Sequence, residues 1–252
     1  MIVPVLALHC SGSSGAQWRA LASTLGARYR VIAPDIASEP SLAGVAARVL
    51  DGLGRSGQPV HLVGHSYGGA LALHLVRTRP GLFRSLTLVE PSAFHLLRDG
   101  DAIDAVGLRE ISGVAAQVKA ALARGDRRGG FGGFVDYWSG PGSWAAMPPE
   151  KRAAFAPQLA SIALDFDALL GEPARLEDFA RLALPTLLVQ GGRTELPSRC
   201  ICQRLRRAHP DWTFRVVQGA GHMLPVTHRD AVNALIAEHL DRHSTVSQKE
   251  AA

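Results

Sequence analysis

The chain alternates short β-rich apolar runs with segments of helical spacing, and that rhythm restricts it to an α/β architecture. Residues 3–8, 30–33, 60–63, 85–89, 185–190 and 213–217 read as strands. Helical patterns follow them at 16–25, 42–53, 67–77, 198–208 and 228–242. The strands are continuous apolar runs rather than alternating ones, as expected of a parallel sheet covered on both faces. In the last helix Val232, Leu235, Ile236 and Leu240 share one face, with Thr227 as the expected N-cap and Asp230 completing a capping box.

The alternation fails between about 93 and 183, where helical patterns at 103–122 and 149–170 occur without a strand. Between them, Gly129, Gly130, Gly132 and Gly133 flank Phe131, which predicts a flexible loop over the mouth of any site, mobile without ligand. The expected organisation is a core over 1–92 and 184–243, a helical cap or lid over 93–183 and a disordered tail over 244–252.

Composition narrows the class. Of 252 residues, 47% are apolar and 19% charged, which excludes global disorder. No stretch approaches the ~20 apolar residues of a membrane span. The apolar N-terminus lacks a basic region and reads as a buried strand rather than a signal peptide. Cys10, Cys200 and Cys202 are too few for a disulfide framework, so a cytoplasmic setting is expected. Cys200 and Cys202 also lack the further ligands a zinc site needs, and no metal or cofactor is expected. The net charge of +5 is carried almost wholly by arginine, for only Lys119, Lys151 and Lys249 are lysines. The Arg124/Arg127/Arg128 and Arg204/Arg206/Arg207 clusters have no nucleic-acid motif beside them. The expected partner is a small molecule, not nucleic acid or a membrane, and the oligomeric state stays open.

Gly64-His65-Ser66-Tyr67-Gly68 is a G-x-S-x-G sequence between a strand and an Ala- and Leu-rich helix. That context turns a common pentapeptide into a sharp turn presenting Ser66 as a nucleophile. A serine nucleophile needs a base. Of ten histidines, His222, in Gly219-Ala220-Gly221-His222, has the best placement, on the loop after the last strand. Ser66 and His222 then share the carboxyl edge of the sheet, where open parallel sheets bind ligands. His9 and His65 read as loop braces. The backbone N–H groups of Tyr67 and Ser11 are the expected oxyanion donors, and Cys10 reads as a small packing residue.

With the segments Leu8–Gly12, 33–35, 64–69, 88–91, 188–191 and 219–222, the chain resembles the α/β-hydrolase fold superfamily, of the cofactor-independent serine-hydrolase kind. The resemblance implies a mostly parallel sheet, a helical cap after Glu90 and a Ser–acid–His triad in that chain order. This chain begins at the family's third strand, so six parallel strands are expected. The family's usual acid position is filled by Thr194, with Glu195 one residue beyond. Glu90 ends the preceding strand, where some relatives place their acid, and is the preferred candidate, with Glu195 the alternative. The expected activity is hydrolysis of a carboxylic ester or thioester through an acyl-enzyme. Cap aromatics, among them Phe94, Phe131, Phe134, Trp138, Phe155 and Phe166, suggest an apolar pocket. Carbon–carbon hydrolysis, lyase or perhydrolysis chemistry, or a non-catalytic ligand-binding role, are the alternatives on the same scaffold.

Overall fold

The computed structural model describes residues 2–53 and 58–244. Its strands are β1 (Val3–Leu8), β2 (Tyr29–Ile32), β3 (Val60–His65), β4 (Phe83–Val89), β5 (Thr186–Gly191) and β6 (Thr213–Val217). They form one sheet in the order β2-β1-β3-β4-β5-β6, and every neighbouring pair is parallel. The six-stranded parallel sheet expected from the sequence is therefore present.

Alternation along each strand sorts the core into two layers. Leu6 and Leu8 of β1, Leu62 of β3, and Leu86 and Leu88 of β4 join one buried cluster. Val5 and Ala7, Val63, and Val89 join the other. The first layer packs against α2 (Leu42–Leu53), α3 (Tyr67–Thr78) and α9 (Leu196–Ala208). The second lies under α1 (Arg19–Leu25) and α11 (Arg229–Ser244).

Between β4 and β5 the chain makes five helices: α4 (Ala102–Ala123), α5 (Arg127–Ser139), α6 (Ser143–Ala146), α7 (Pro149–Phe155) and α8 (Leu159–Gly171). Their apolar residues join the first core layer. Two ion-pair groups tie this insertion to the core helices. Glu172 accepts from His74 at 3.0 Å and Arg77 at 2.9 Å on α3, and Asp104 pairs with Arg204 of α9 at 2.7 Å.

Local expectations change in four places. The segment at 149–170 is broken into α7 and α8 by a 3-10 turn at Ala156–Gln158 that contains Pro157. By length and composition Pro149–Gly171 is apolar enough to cross a membrane, contrary to the expectation that no stretch would be; its best 18-residue window has mean hydropathy 1.3 and is 39% buried in the fold. Thr227 does not cap the last helix: it ends the short α10 (Leu224–Thr227), where its hydroxyl bonds Met223 O. Ser244 is ordered, ending α11 with its hydroxyl 2.9 Å from His61 Nε2, while the rest of the tail, 245–252, lies outside the described residues.

The glycine run differs as well: it is helical rather than a loop. It makes the first turns of α5, whose N-cap Asp126 accepts from Gly129 N at 2.8 Å. The glycines let neighbours come close. A Cβ on Gly130 would lie 2.6 Å from both Ala121 Cβ and Leu159 Cδ2, and one on Gly132 2.6 Å from Trp144 Cδ1. Gly133 has nothing within 4 Å of that position. Gly130→Ala should therefore lower stability by about 1–3 kcal/mol through overpacking, although alanine favours helix. Gly133→Ala should raise it by about 0.5–1 kcal/mol. Urea melts of the two variants check the opposite signs.

Candidate active site

Ser66 sits between β3 and α3 with φ 55° and ψ −117°, a strained conformation for a residue with a Cβ. The turn closes only because its flanks lack side chains. A Cβ on Gly64 would lie 2.3 Å from Gly68 O, and one on Gly68 2.3 Å from Leu8 O. Gly68 N donates to His9 O at 3.1 Å, clamping the turn onto the loop after β1. Tyr67 opens α3, so its N–H belongs to a first turn that has no intrahelical acceptors.

The structure brings Ser66, His222 and Glu90 into one chain of hydrogen bonds. Ser66 Oγ lies 2.9 Å from His222 Nε2, and His222 Nδ1 lies 2.7 Å from Glu90 Oε2. Glu90 is wholly buried, so an unpartnered carboxylate there would be costly. It is fully engaged instead. Oε1 accepts from Gly191 N at 2.6 Å, and Oε2 also accepts from the Thr194 hydroxyl at 2.6 Å. Thr194, at the position where the resemblance would put the acid, thus donates to the carboxylate that follows β4.

Glu195 stands apart. It makes no hydrogen bond or ion pair to His222, and its one side-chain partner is the Thr194 hydroxyl at 3.3 Å. Burial raises its pKa. Cys10 is buried, and burial pushes its thiol up to about 12, which keeps it protonated. Cys10 N donates to Gln17 Oε1 at 3.1 Å. That amide is already used, while Ser11, the next residue, lines the same cavity as Ser66.

Three residues support the site: His65, read from the sequence as a loop brace, Trp138, read as a cap aromatic, and Ser92, which was not singled out. His65 Nε2 donates to His222 O at 2.9 Å while its Nδ1 accepts from Gln17 Nε2 at 3.1 Å, so a core histidine holds the backbone of the catalytic-edge loop. Ser92 Oγ lies 3.0 Å from Ser66 Oγ. The Trp138 ring of α5 covers the His222 imidazole, with centroids 4.0 Å apart. None of these follows a spacing rule; each depends on which loops meet at the sheet edge.

Two cavities meet at Ser66. The larger, about 190 Å³ and partly open, runs between the loop after β1 and α5, with Phe131, Phe134, Trp138 and Phe155 on its wall. The smaller, with only about 10 Å³ of room, passes Ser92 to Phe94, Phe166 and Asp165. Tyr137 and Trp144 line neither. An apolar strand end, a serine on a strained elbow, an imidazole and a buried carboxylate can together activate a hydroxyl next to an aromatic-walled space.

This chain belongs to the alpha/beta hydrolase family, whose model matches residues 5–235. It is similar to a pimeloyl-[acyl-carrier protein] methyl ester esterase of Aeromonas hydrophila, with 27% identity over 88% of this chain and 89% of that protein. Over 42% of this chain and 41% of the relative it is 31% identical to Lipase LipV of Mycobacterium tuberculosis. Among solved structures, a bromoperoxidase from Bacillus anthracis superposes with a TM-score of 0.74 at 18% identity, covering 96% of this chain and 92% of that one. The chain is thus an α/β hydrolase with distant esterase and lipase relatives.

Four buried histidines outside the chain of bonds, His61, His65, His95 and His239, are held neutral. Burial pushes His61 and His65 down to about 3, and His95 and His239 down to about 4. Unfolded, each takes a proton near pH 6.5, so their contribution to stability is full above that pH and lost as pH falls, at about 1.4 kcal/mol per pH unit each. Asp165, raised by burial to about 6, acts in the opposite sense below that pH. Four histidines outweigh one aspartate. The thermal midpoint should drop steeply from pH 6.5 to 4.5; a scan showing a flat or rising midpoint over that range contradicts this account.

Proposed function

We propose that the protein is a serine hydrolase that cleaves a carboxylic ester or thioester of a small to medium apolar substrate through an acyl-enzyme. The observation that carries the reading is the unbroken chain Ser66 Oγ–His222 Nε2, His222 Nδ1–Glu90 Oε2 at 2.9 and 2.7 Å. The esterase relative named above supports it. As Ser66 Oγ attacks the carbonyl carbon, its proton passes to His222 Nε2. Glu90 remains ionised, fixes the Nδ1–H tautomer and stabilises the imidazolium. The Ser11 and Tyr67 amides receive the oxyanion. His222 then protonates the departing alcohol or thiol, accepts a proton from the attacking water, and returns it to Ser66 as the acid leaves.

Residues 93–183 are read as the cap of this site, and Trp138 as the cover that keeps water off His222. The aromatic walls favour medium apolar acyl groups over acetyl. A p-nitrophenyl ester series should therefore give its highest kcat/KM above acetate, and a maximum at acetate contradicts the pocket reading. A fluorophosphonate probe should add to Ser66 in the folded protein, as seen by intact mass; no adduct favours a non-catalytic binding role.

Glu90→Gln should leave the fold intact and lower kcat by about 10²–10⁴-fold, because base orientation and charge stabilisation are lost together. Glu195→Gln, which reaches the imidazole only through Thr194 and Glu90, should cost far less. The reverse order in two folded variants overturns the assignment of Glu90.

A further inference from the structure

We propose that Gln17 is a positioning residue: with His65 it forms a hydrogen-bonded bridge that ties the loop carrying the Ser11 oxyanion donor to the loop carrying His222, so that donor and base are set by one linkage. The inference rests on the hydrolase reading and deepens it by naming what holds two parts of the same site in register.

Neither Gln17 nor His65 lines either cavity at Ser66. The bridge they make is three hydrogen bonds long. Cys10 N donates to Gln17 Oε1 at 3.1 Å, Gln17 Nε2 donates to His65 Nδ1 at 3.1 Å, and His65 Nε2 donates to His222 O at 2.9 Å. The two ends fix its direction. A backbone N–H can only donate and a backbone carbonyl can only accept. Gln17 must therefore turn its oxygen to Cys10, and His65 must carry its proton on Nε2 and leave Nδ1 bare for the Gln17 NH2 group. His65 is wholly buried, and burial pushes it down to about 3, so the ring stays neutral and keeps that bare nitrogen. A chain whose donors all point one way is cooperative, each bond polarising the next.

One end of the bridge holds the amide immediately before that of Ser11, and the other holds the carbonyl of the base itself. Other bonds fix each loop to its own neighbour. Gly68 N donates to His9 O at 3.1 Å, which ties the loop after β1 to the turn carrying Ser66, and Arg193 N donates to Ala220 O at 2.8 Å, which ties the loop after β6 to the segment after β5. The Gln17–His65 pair joins the two loops to each other. Attack at a carbonyl needs the oxyanion donor and the base at set distances from Ser66 Oγ at the same moment. Misplacing either one slows the chemical step far more than it weakens substrate binding.

The test starts from Gln17→Met, which keeps the length of the side chain and removes both of its hydrogen bonds. Shown to be folded by circular dichroism, it should lower kcat for p-nitrophenyl butanoate by about 10-fold or more while KM changes by less than about 2-fold. The inhibition constant of phenylboronic acid, which adds to Ser66 and places a boron-bound oxygen at the oxyanion donors, should rise in step with the loss of kcat/KM. Amide hydrogen exchange at 220–223 should speed up in the resting variant, although Gln17 makes no bond to that loop. His65→Gln, whose amide can still reach His222 O but not Gln17, breaks the same bridge, so Gln17→Met/His65→Gln should cost about as much as the worse single variant. Should Gln17→Met not fold, Gln17→Glu, which keeps the acceptor for Cys10 N and loses the donor to His65, should give the same readings. A folded variant with wild-type kcat overturns the role of Gln17, as does a loss confined to KM, unchanged exchange at 220–223, or single losses that multiply in the double variant. Faster exchange at 220–223 in a protein whose wild type hydrolyses no ester and takes no fluorophosphonate upholds the bridge and removes the hydrolase reading.

Discussion

The register between β3 and β4 is the constraint on which the site depends. His65 pairs with Val89, so the next residues on the two strands, Ser66 and Glu90, leave the sheet side by side. Both have positive φ, 55° and 44°, which turns them out of the strand direction at the same level. Ser66 N still donates to Val89 O at 3.1 Å and Glu90 N to Val189 O at 3.0 Å, so each bend begins from a pinned backbone. A slip of one residue would exchange the faces of a strand that is apolar on both. It would also separate the hydroxyl from the carboxylate. The strain at two non-glycine residues persists because buried strands on either side over-determine it.

With both groups anchored on adjacent central strands, only the imidazole must come from elsewhere. The loop after β6 brings it, and that loop is fastened at several points. Gly192 N donates to Val217 O at 2.9 Å, Arg193 N to Ala220 O at 2.8 Å, and His65 holds His222 O. Gly191 has no Cβ because Ala220 O lies 2.6 Å from where one would be. The end of β5 and the segment after it therefore work as a spacer: Gly191 N and the Thr194 hydroxyl bind Glu90, and the Gly192 and Arg193 amides bind the strand end and loop that lead to His222. This explains why a threonine suffices where a carboxylate was expected from the resemblance. The position donates a hydrogen bond to the Glu90 carboxylate instead of carrying a carboxylate itself.

How much of this was legible in the sequence follows from the kind of signal each part carries. Buried parallel strands must be apolar runs, and the glycines around Ser66 are required by backbone contacts under 3 Å, so the sheet, the elbow and His222 could be read residue by residue. Glu90 could be proposed because a carboxylate ending an apolar strand demands a partner. The glycines at 129–133 were misread because glycine has two uses, backbone freedom and close packing, and only the positions of Ala121, Leu159 and Trp144 decide between them. The break between α7 and α8 was missed because the apolar spacing continues through Pro157, and Thr227 because a capping pattern is only local. Gln17 carried no signal at all. A glutamine near the surface normally faces water, and its place here depends on Cys10 and His65 lying on either side of it.

The two halves of the site thus obey different rules. The groups on the sheet are set by register and by backbone contacts that tolerate almost no side chain, so they can hold hydroxyl, imidazole and carboxylate to hydrogen-bond tolerances. The walls come from helices α5 and α8, packed through aromatic pairs such as Phe94–Trp138 and Phe94–Phe166 with centroids 6.5 and 6.3 Å apart. Such packing accepts changes in side-chain shape far more readily than a strand register does. Selectivity can therefore shift by substitution in the insertion while the chain from Ser66 to Glu90 is left unmoved. Trp138 is the point where the halves touch: its ring lies tilted over His222, with centroids 4.0 Å apart, and it walls both cavities.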